Sequence, residues 1–424
     1  MTKLALLVTT FTVVLVLLIS VTIASGQGTQ GAAQAQTTNR FGHRHGLASL
    51  LPEESRLSLD GAPSVTHQVN NETSHVTAVT PKPPRQPGYR ILDLGGSDSR
   101  GITESGDMVG ASEGPFPYSC GGAPFRGRFW PHDHQGGIDL GTLPGLAASW
   151  AHTSNPAGQI VGFANNGRGV SERAVFWANL CSGPVELAGV PNGLQSQAYS
   201  ITPSGRIVGQ VFNDDFSLQR AVFWQNANSA LVYLPQLSNA FPHSVATGIN
   251  DGGSILGDGC DADFVECHAA CWASSTSAPV ALASPGGQFI YTDIDFGKNI
   301  NNAGNMVGVA YNADYTLSRG VYWASRTSPA VVLSVNSSEF TNAIAESINE
   351  KREIVGGANN ADFTEVHAFL WPSPTSPGID LNTLIPADSG WTLADAYDIN
   401  NRGEIIGRGQ LNGINHAYLL TPMP

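Results

Sequence analysis

A glycine that closes an apolar pair recurs seven times in this chain, at Gly110, Gly162, Gly209, Gly257, Gly308, Gly356 and Gly407. Successive gaps are 52, 47, 48, 51, 48 and 51 residues. From the second copy to the sixth a tryptophan follows 15 residues later, at Trp177, Trp224, Trp272, Trp323 and Trp371, and Trp130 serves the first copy. A leucine follows each of these six tryptophans by ten residues: Leu140, Leu187, Leu234, Leu282, Leu333 and Leu381. Fixed offsets inside a period near 50 mark a solenoid, propeller or other repeat array. That period overrides the two or three domains that 424 residues would otherwise suggest.

Each copy holds four short apolar runs parted by Gly, Asn, Asp or Pro, as in Ile348-Asn349, Ile354-Val355-Gly356, Ala368-Phe369-Leu370-Trp371 and Ile379-Asp380-Leu381. Runs of this length and composition read as strands, and no stretch sustains a helical period. A small residue stands four before the end of each first run: Ser99, Ala151, Ala198, Ala246, Gly297, Ala345 and Ala396. Small side chains suit the crowded axis where the inner strands of several sheets converge. Four strands per unit around such an axis describe a propeller blade. The seventh unit ends without a fourth strand, and an orphan one, Ile91-Leu92-Asp93-Leu94, precedes the first. We therefore expect an all-β, seven-bladed β-propeller of four antiparallel strands per blade over residues 89–424. Strand 89–94 would complete the last blade and remove two open sheet edges.

Upstream, Lys3 and an apolar run from Leu4 to about Ala24 precede Ala33-Gln34-Ala35. This reads as a secretory signal peptide over 1–35, with an uncleaved membrane anchor as the alternative. Residues 36–88 end in Thr80-Pro81-Lys82-Pro83-Pro84-Arg85-Gln86-Pro87 and read as a disordered, Pro-rich linker. Either reading of the N-terminus makes the protein secreted, cell-surface or periplasmic, with a membrane partner only if the segment stays uncleaved. The net charge of −13 argues against nucleic acid as a partner.

A basic residue recurs four before the tryptophan position of every unit: Arg126, Arg173, Arg220, His268, Arg319, His367 and His416. In four units an aspartate stands five residues earlier, at Asp215, Asp263, Asp314 and Asp362, followed by Phe216, Phe264, Tyr315 and Phe363. Recurrence in blade after blade favours a structural role, with acid and base tying the loop between the second and third strands and the aromatic packed between blades. Loops from strand two to three and from strand four to the next blade share one face, where binding residues are expected. Phe116 and Tyr118, in the atypical loop of the first unit, join the four loop aromatics as candidate binding residues.

Of the five cysteines, Cys260 and Cys267 flank one loop and are the disulfide candidate, as export favours. Cys120 and Cys181 are placed on opposite faces, which argues against their pairing, and Cys271 reads as a buried free thiol. A zinc site from Cys260, Cys267, His268 and Cys271 is disfavoured because His268 fills the basic position common to all units. Pro131-His132-Asp133-His134 reads as a solvated turn. The chain contains no G-x-S-x-G, H-E-x-x-H or P-loop. No catalytic residue, metal or cofactor is assigned.

The run His367-Ala368-Phe369 within its repeat, and Asp139-Leu140-Gly141-Thr142-Leu143, resemble the HAF family of extracellular repeat proteins over about residues 89–420. Arginine in place of histidine in four units and Ala269-Ala270-Cys271 before Trp272 depart from that pattern. The resemblance implies an exported, β-rich repeat protein and supplies no activity. The resulting expectation is a non-catalytic scaffold that binds a protein or glycan. The alternative is a propeller hydrolase or lyase, which should instead gather unlike polar residues at the axis.

Overall fold

The computed structural model describes residues 88–95, 98–113, 125–132, 137–167, 169–180, 182–295 and 297–424. The expected signal peptide, most of the linker, Phe116, Tyr118, Cys120, Cys181 and His134 lie outside these residues.

Seven four-stranded antiparallel sheets make up the fold, and apart from one 3₁₀ turn at Leu381–Leu384 no helix occurs among the described residues. We call the strands of a blade a to d from the axis outward. The a strands are Asp98–Ile102, Ala148–Ser154, Gln195–Ile201, His243–Ile249, Phe289–Asp293, Asn342–Ile348 and Trp391–Ile399. The d strands of blades one to six are only two residues long, from Ile138–Asp139 to Ile379–Asp380. Such short outer edges offer little template for pairing with another chain. Blade seven takes its d strand from Tyr89–Gly95, which pairs antiparallel with Ile414–Pro422. The ring therefore closes as the truncated last repeat predicts.

The repeat residues have definite tasks. Each tryptophan fills the space between two blades and donates its indole N–H to the preceding blade. The acceptors are Leu94, Leu140, Ala188, Pro235, Ala283 and Ser334, at 2.7–3.0 Å. Around it the apolar faces of adjacent sheets interlock, as where Val161, Phe176 and Leu187 meet Ala198, Ile207 and Trp224. The Ile-Asn motif works at the tight-turn face. Each asparagine caps its own a–b turn and donates to the next blade, in the series Asn250 to Asn301, Asn301 to Asn349, Asn349 to Asn400 and Asn400 to Thr103, at 3.0–3.1 Å. The last of these crosses the seam between blades seven and one.

The basic residues are engaged within their own blades, but their partner is not the loop aspartate. Arg126, Arg173, His367 and His416 pair with the acid of strand d, at Asp139, Glu186, Asp380 and Asp93. Where strand d offers no acid the cation turns elsewhere. Arg220 lies over the Tyr233 ring, Arg319 over Phe289 and His268 beside Glu266. Strand d runs alongside strand c and its acid is within reach, whereas Asp215, Asp314 and Asp362 are taken up by Ser217, Thr316 and Thr364 two residues on. Cys260 and Cys267 are the last facing pair of the b–c hairpin of blade four and form a disulfide. That bond removes the zinc arrangement. Cys271 is a buried free thiol.

Candidate functional site at the propeller axis

The a strands share one irregularity. In six blades the a–b register slips by one residue right after the small position, between Ser99 and Gly101, Ala151 and Thr153, Ala198 and Ser200, Ala246 and Gly248, Ala345 and Ser347, and Ala396 and Asp398. A β-bulge leaves one residue unpaired and re-aims its side chain. The residues so displaced are Arg100, His152, Tyr199, Thr247, Glu346 and Tyr397. No two neighbours round the ring are alike. In blade five strand a stops at Asp293, before the small position Gly297, and the register shifts earlier, between Phe289 and Tyr291. The close approach of strand a explains the recurrent glycine of strand b. A Cβ at Gly162, Gly209 or Gly257 would collide with the a-strand carbonyl of Trp150, Gln197 or Val245.

Some of these groups influence one another across blades. Arg100 of blade one feels the charge of Glu346 of blade six. Its guanidinium lies 4.4 Å above the Tyr397 ring and 2.8 Å from Asp98 Oδ2. Arg408 reaches Asp395 Oδ2 at 3.5 Å. Burial works against the Arg100 charge, but Asp98, Tyr397 and Glu346 more than offset it and hold the guanidinium charged. Burial raises the Glu346 carboxyl well above its ordinary range, with Asp295 and Asp395 adding to the effect and Arg100 opposing it. Burial also raises Asp395, against Arg408 and Arg100.

Blades two and three contribute a different surface. Trp150 stacks on its cross-strand neighbour Phe163 at 5.0 Å, His152 lies 5.4 Å from Phe163, and His152 stacks on Tyr199 at 5.1 Å. Trp150, Phe163 and His152 remain half-buried. Behind Tyr199 is an amide network. Gln210 donates to Gln197 Oε1 at 2.8 Å and to the Tyr199 hydroxyl at 2.6 Å, and Gln197 donates to Glu172. Burial pushes the Glu172 carboxyl up to about 7, against hydrogen bonding with Gln197 and Asn165.

At the tight-turn end Lys298 of blade five spans to Glu104 of blade one, Nζ to Oε1 3.4 Å. Asp398 sits above it, accepting from Ile102 N–H at 2.9 Å and Ser347 Oγ at 2.7 Å. One polar bridge, Lys298 to Glu104, thus joins non-adjacent blades at this end. His132, expected in a solvated turn, instead pairs with buried Glu404 at 3.2 Å across the blade seven–one seam.

Of the loop aromatics, Phe216, Phe264, Tyr315 and Phe363 all adopt positive φ, between 54° and 60°. They are half-buried and engaged. Phe216 stacks on Phe212, Phe264 on His243 and Tyr315 on Tyr291, and the Tyr315 hydroxyl donates to Val265 O of the preceding blade at 2.9 Å. They pack the loop face rather than stand clear of it. Sequence reasoning missed the axial residues, although each directly follows the small position it had singled out. Among the described residues no three His, Cys, Asp or Glu side chains are grouped as metal ligands.

No family model matches the chain, and no curated protein does. Its fold is similar to solved propellers. An oligogalacturonate lyase in complex with manganese superposes with a TM-score of 0.52 at 11% identity, covering 80% of this chain and 94% of that one. YCF48 bound to D1 peptide gives 0.47 at 8% identity, covering 81% and 97%. YCF48 from Cyanidioschyzon merolae gives 0.49 at 6% identity, covering 79% and 99%. At these identities the likeness is one of fold: a β-propeller.

Proposed function

We propose that the chain is an exported binding propeller that takes a glycan at the loop-side mouth of its axis and does not turn it over. The observation that carries this reading is that one ring bears both a half-buried aromatic surface on blade two (Trp150, Phe163, His152) and fixed charged and phenolic groups at the blade seven–one seam (Asp98, Arg100, Asp395, Tyr397, Arg408). Ligand sites pair apolar and aromatic surface with a few placed polar groups. A sugar ring presents the complementary pair, a C–H face for stacking and a rim of hydroxyls. Export is supported by the apolar N-terminal run, the Cys260–Cys267 disulfide and the resemblance to HAF repeats. The test is a glycan array followed by titration of the best ligand. Trp150→Ala should weaken binding at least tenfold with an unchanged melting temperature. Retained affinity in that variant would send the ligand elsewhere.

A second reading, a hydrolase or lyase, is favoured by one feature: unlike acids converge at the axis with Glu346 held toward its protonated form, as a general acid would be. Release of shorter products from the bound glycan, abolished by Glu346→Gln, would put this reading first.

A further inference from the structure

In blades three to seven the basic residue of strand c is covered by an aromatic ring. Arg220 lies over Tyr233 at 5.4 Å and Arg319 over Phe289 at 5.3 Å. Phe241 meets His268 at 5.2 Å, Phe340 meets His367 at 4.8 Å and Trp391 meets His416 at 6.2 Å. Three of these rings hold one repeat position. Phe241, Phe289 and Phe340 each stand two residues before the a-strand residue that faces Cys260, Tyr311 or Asn359, three after the recurrent glycine. In blade two that position is Leu146, two before Ala148, which faces Asn165. The loop leading into blade two, Leu143-Pro144-Gly145-Leu146, carries no aromatic residue, and neither does its d strand, Val185–Glu186.

A groove of about 290 Å³ opens there on the loop face, lined by Leu143, Pro144, Leu146, Ser171, Arg173 and Glu186. Pro144, Ser171 and Glu186 are exposed, so it is reached from solvent. Among the described residues no ring covers Arg173. Its guanidinium is held by the Glu172 carbonyl at 3.0 Å and by Glu186 at 3.4 Å. Val170 and Val185, the chain neighbours of Ser171 and Glu186, are 40% and 51% exposed and give the groove an apolar rim.

What fits follows from shape and charge. Three apolar side chains wall the groove and one cation is set into it. The face of an aromatic ring is attracted to a guanidinium within about 6 Å, and an apolar cavity of about 150 Å³ already holds benzene. A carboxylate guest would meet Glu186, and an aliphatic one would gain nothing from Arg173. In the other blades the occupant is a side chain that the protein presents to itself. The equivalent guest in an open groove is a side chain presented by another polypeptide.

We infer that the blade-two groove is a docking site for an aromatic side chain of a partner protein, which completes this blade as Phe241, Phe289 and Phe340 complete theirs. None of its lining residues belongs to the axial set, and it does not rest on the glycan reading.

The test is methyl NMR of the leucine-labelled full chain, titrated with acetyl-Gly-Phe-Gly-amide and acetyl-Gly-Leu-Gly-amide. The phenylalanine peptide should shift the Leu143 and Leu146 methyls saturably and bind about fivefold more tightly than the leucine peptide. Leu146→Phe supplies the missing ring from within. Its melting temperature should hold or rise, and the phenylalanine peptide should no longer shift Leu143. Arg173→Gln should bring the two peptides within about twofold of each other. Equal binding of the two peptides by the wild type, undiminished binding to Leu146→Phe, or no saturable shift with the phenylalanine peptide overturns the site. Tighter binding of p-cresol than of the phenylalanine peptide would make this a small-molecule site and overturn docking by a protein.

Discussion

Glu172 illustrates how one residue can set the pH response of a ring this large. Its carboxyl is buried beside Gln197 and titrates near 7 rather than in the ordinary carboxylate range. Between about 4.5 and 7 the folded state therefore holds a proton that the unfolded state has lost. Stability from this group is fully present below the unfolded value and is lost as pH rises through the folded one. The loss amounts to about 3 kcal/mol across that window. Glu172→Gln keeps the hydrogen-bond geometry and removes the titration. The variant should equal wild type near pH 4 and exceed it near pH 8, read as the difference in denaturant midpoints. A constant difference across pH would show that Glu172 is not the group concerned. The tryptophans make a simpler case at the same scale. Trp224→Phe keeps most of the apolar contact but orphans the Ala188 carbonyl, which Trp224 meets at 3.0 Å. It should cost about 1–3 kcal/mol in chemical denaturation.

At the scale of the strand, the recurrent glycine is a steric device. The a-strand carbonyl lies over strand b, where only a hydrogen leaves room. Gly209→Ala should cost about 1–3 kcal/mol through overpacking. Gly183→Ala, at a position with open space and no positive φ, should stay within about 0.5 kcal/mol. Equal effects in thermal unfolding would refute the steric account. The bulge in strand a marks the limit of what could be read from the chain. Glycine, tryptophan and leucine at fixed offsets reveal the blades because packing between sheets demands the same residue each time. The bulge has no residue of its own. Its occupants are Arg100, His152, Tyr199, Thr247, Glu346 and Tyr397, chosen for different neighbours, so a search for recurrence passes over them. Their irregularity beside an invariant small residue was itself the available signal. The acid partner of the basic position was also within reach. Arg126 and Asp139, Arg173 and Glu186, and His367 and Asp380 are each separated by the same 13 residues. The nearer aspartate at an offset of five was the more obvious choice, and turn chemistry had already claimed it.

At the scale of the molecule, the ring is only as closed as its last sheet. Blade seven is the one blade assembled from both ends of the described chain, and its Trp position is occupied by Leu420. The seam is nevertheless held at several levels. Tyr89–Gly95 pairs with the final strand, His416 binds Asp93 at 2.8 Å, Asn400 reaches Thr103 and Asn401 N–H donates to Glu104. The axial cluster straddles the same seam, since Asp98 and Arg100 come from blade one while Asp395, Tyr397 and Arg408 come from blade seven. On the glycan-binding proposal, closure and ligand binding are therefore coupled. A chain beginning at residue 88 retains the complete ring and should unfold in one cooperative transition as a monodisperse species. A chain beginning at residue 96 lacks the d strand of blade seven, exposes the edge of Ile414–Pro422 and leaves Leu419 and Leu420 uncovered. It should self-associate on size exclusion, as unpaired edges do. It should also lose glycan binding, because blades one and seven no longer hold their groups in register. Adding the peptide of residues 88–95 in trans should restore both properties together. Restoration of monodispersity without binding would separate the two, and would place the ligand site away from the seam.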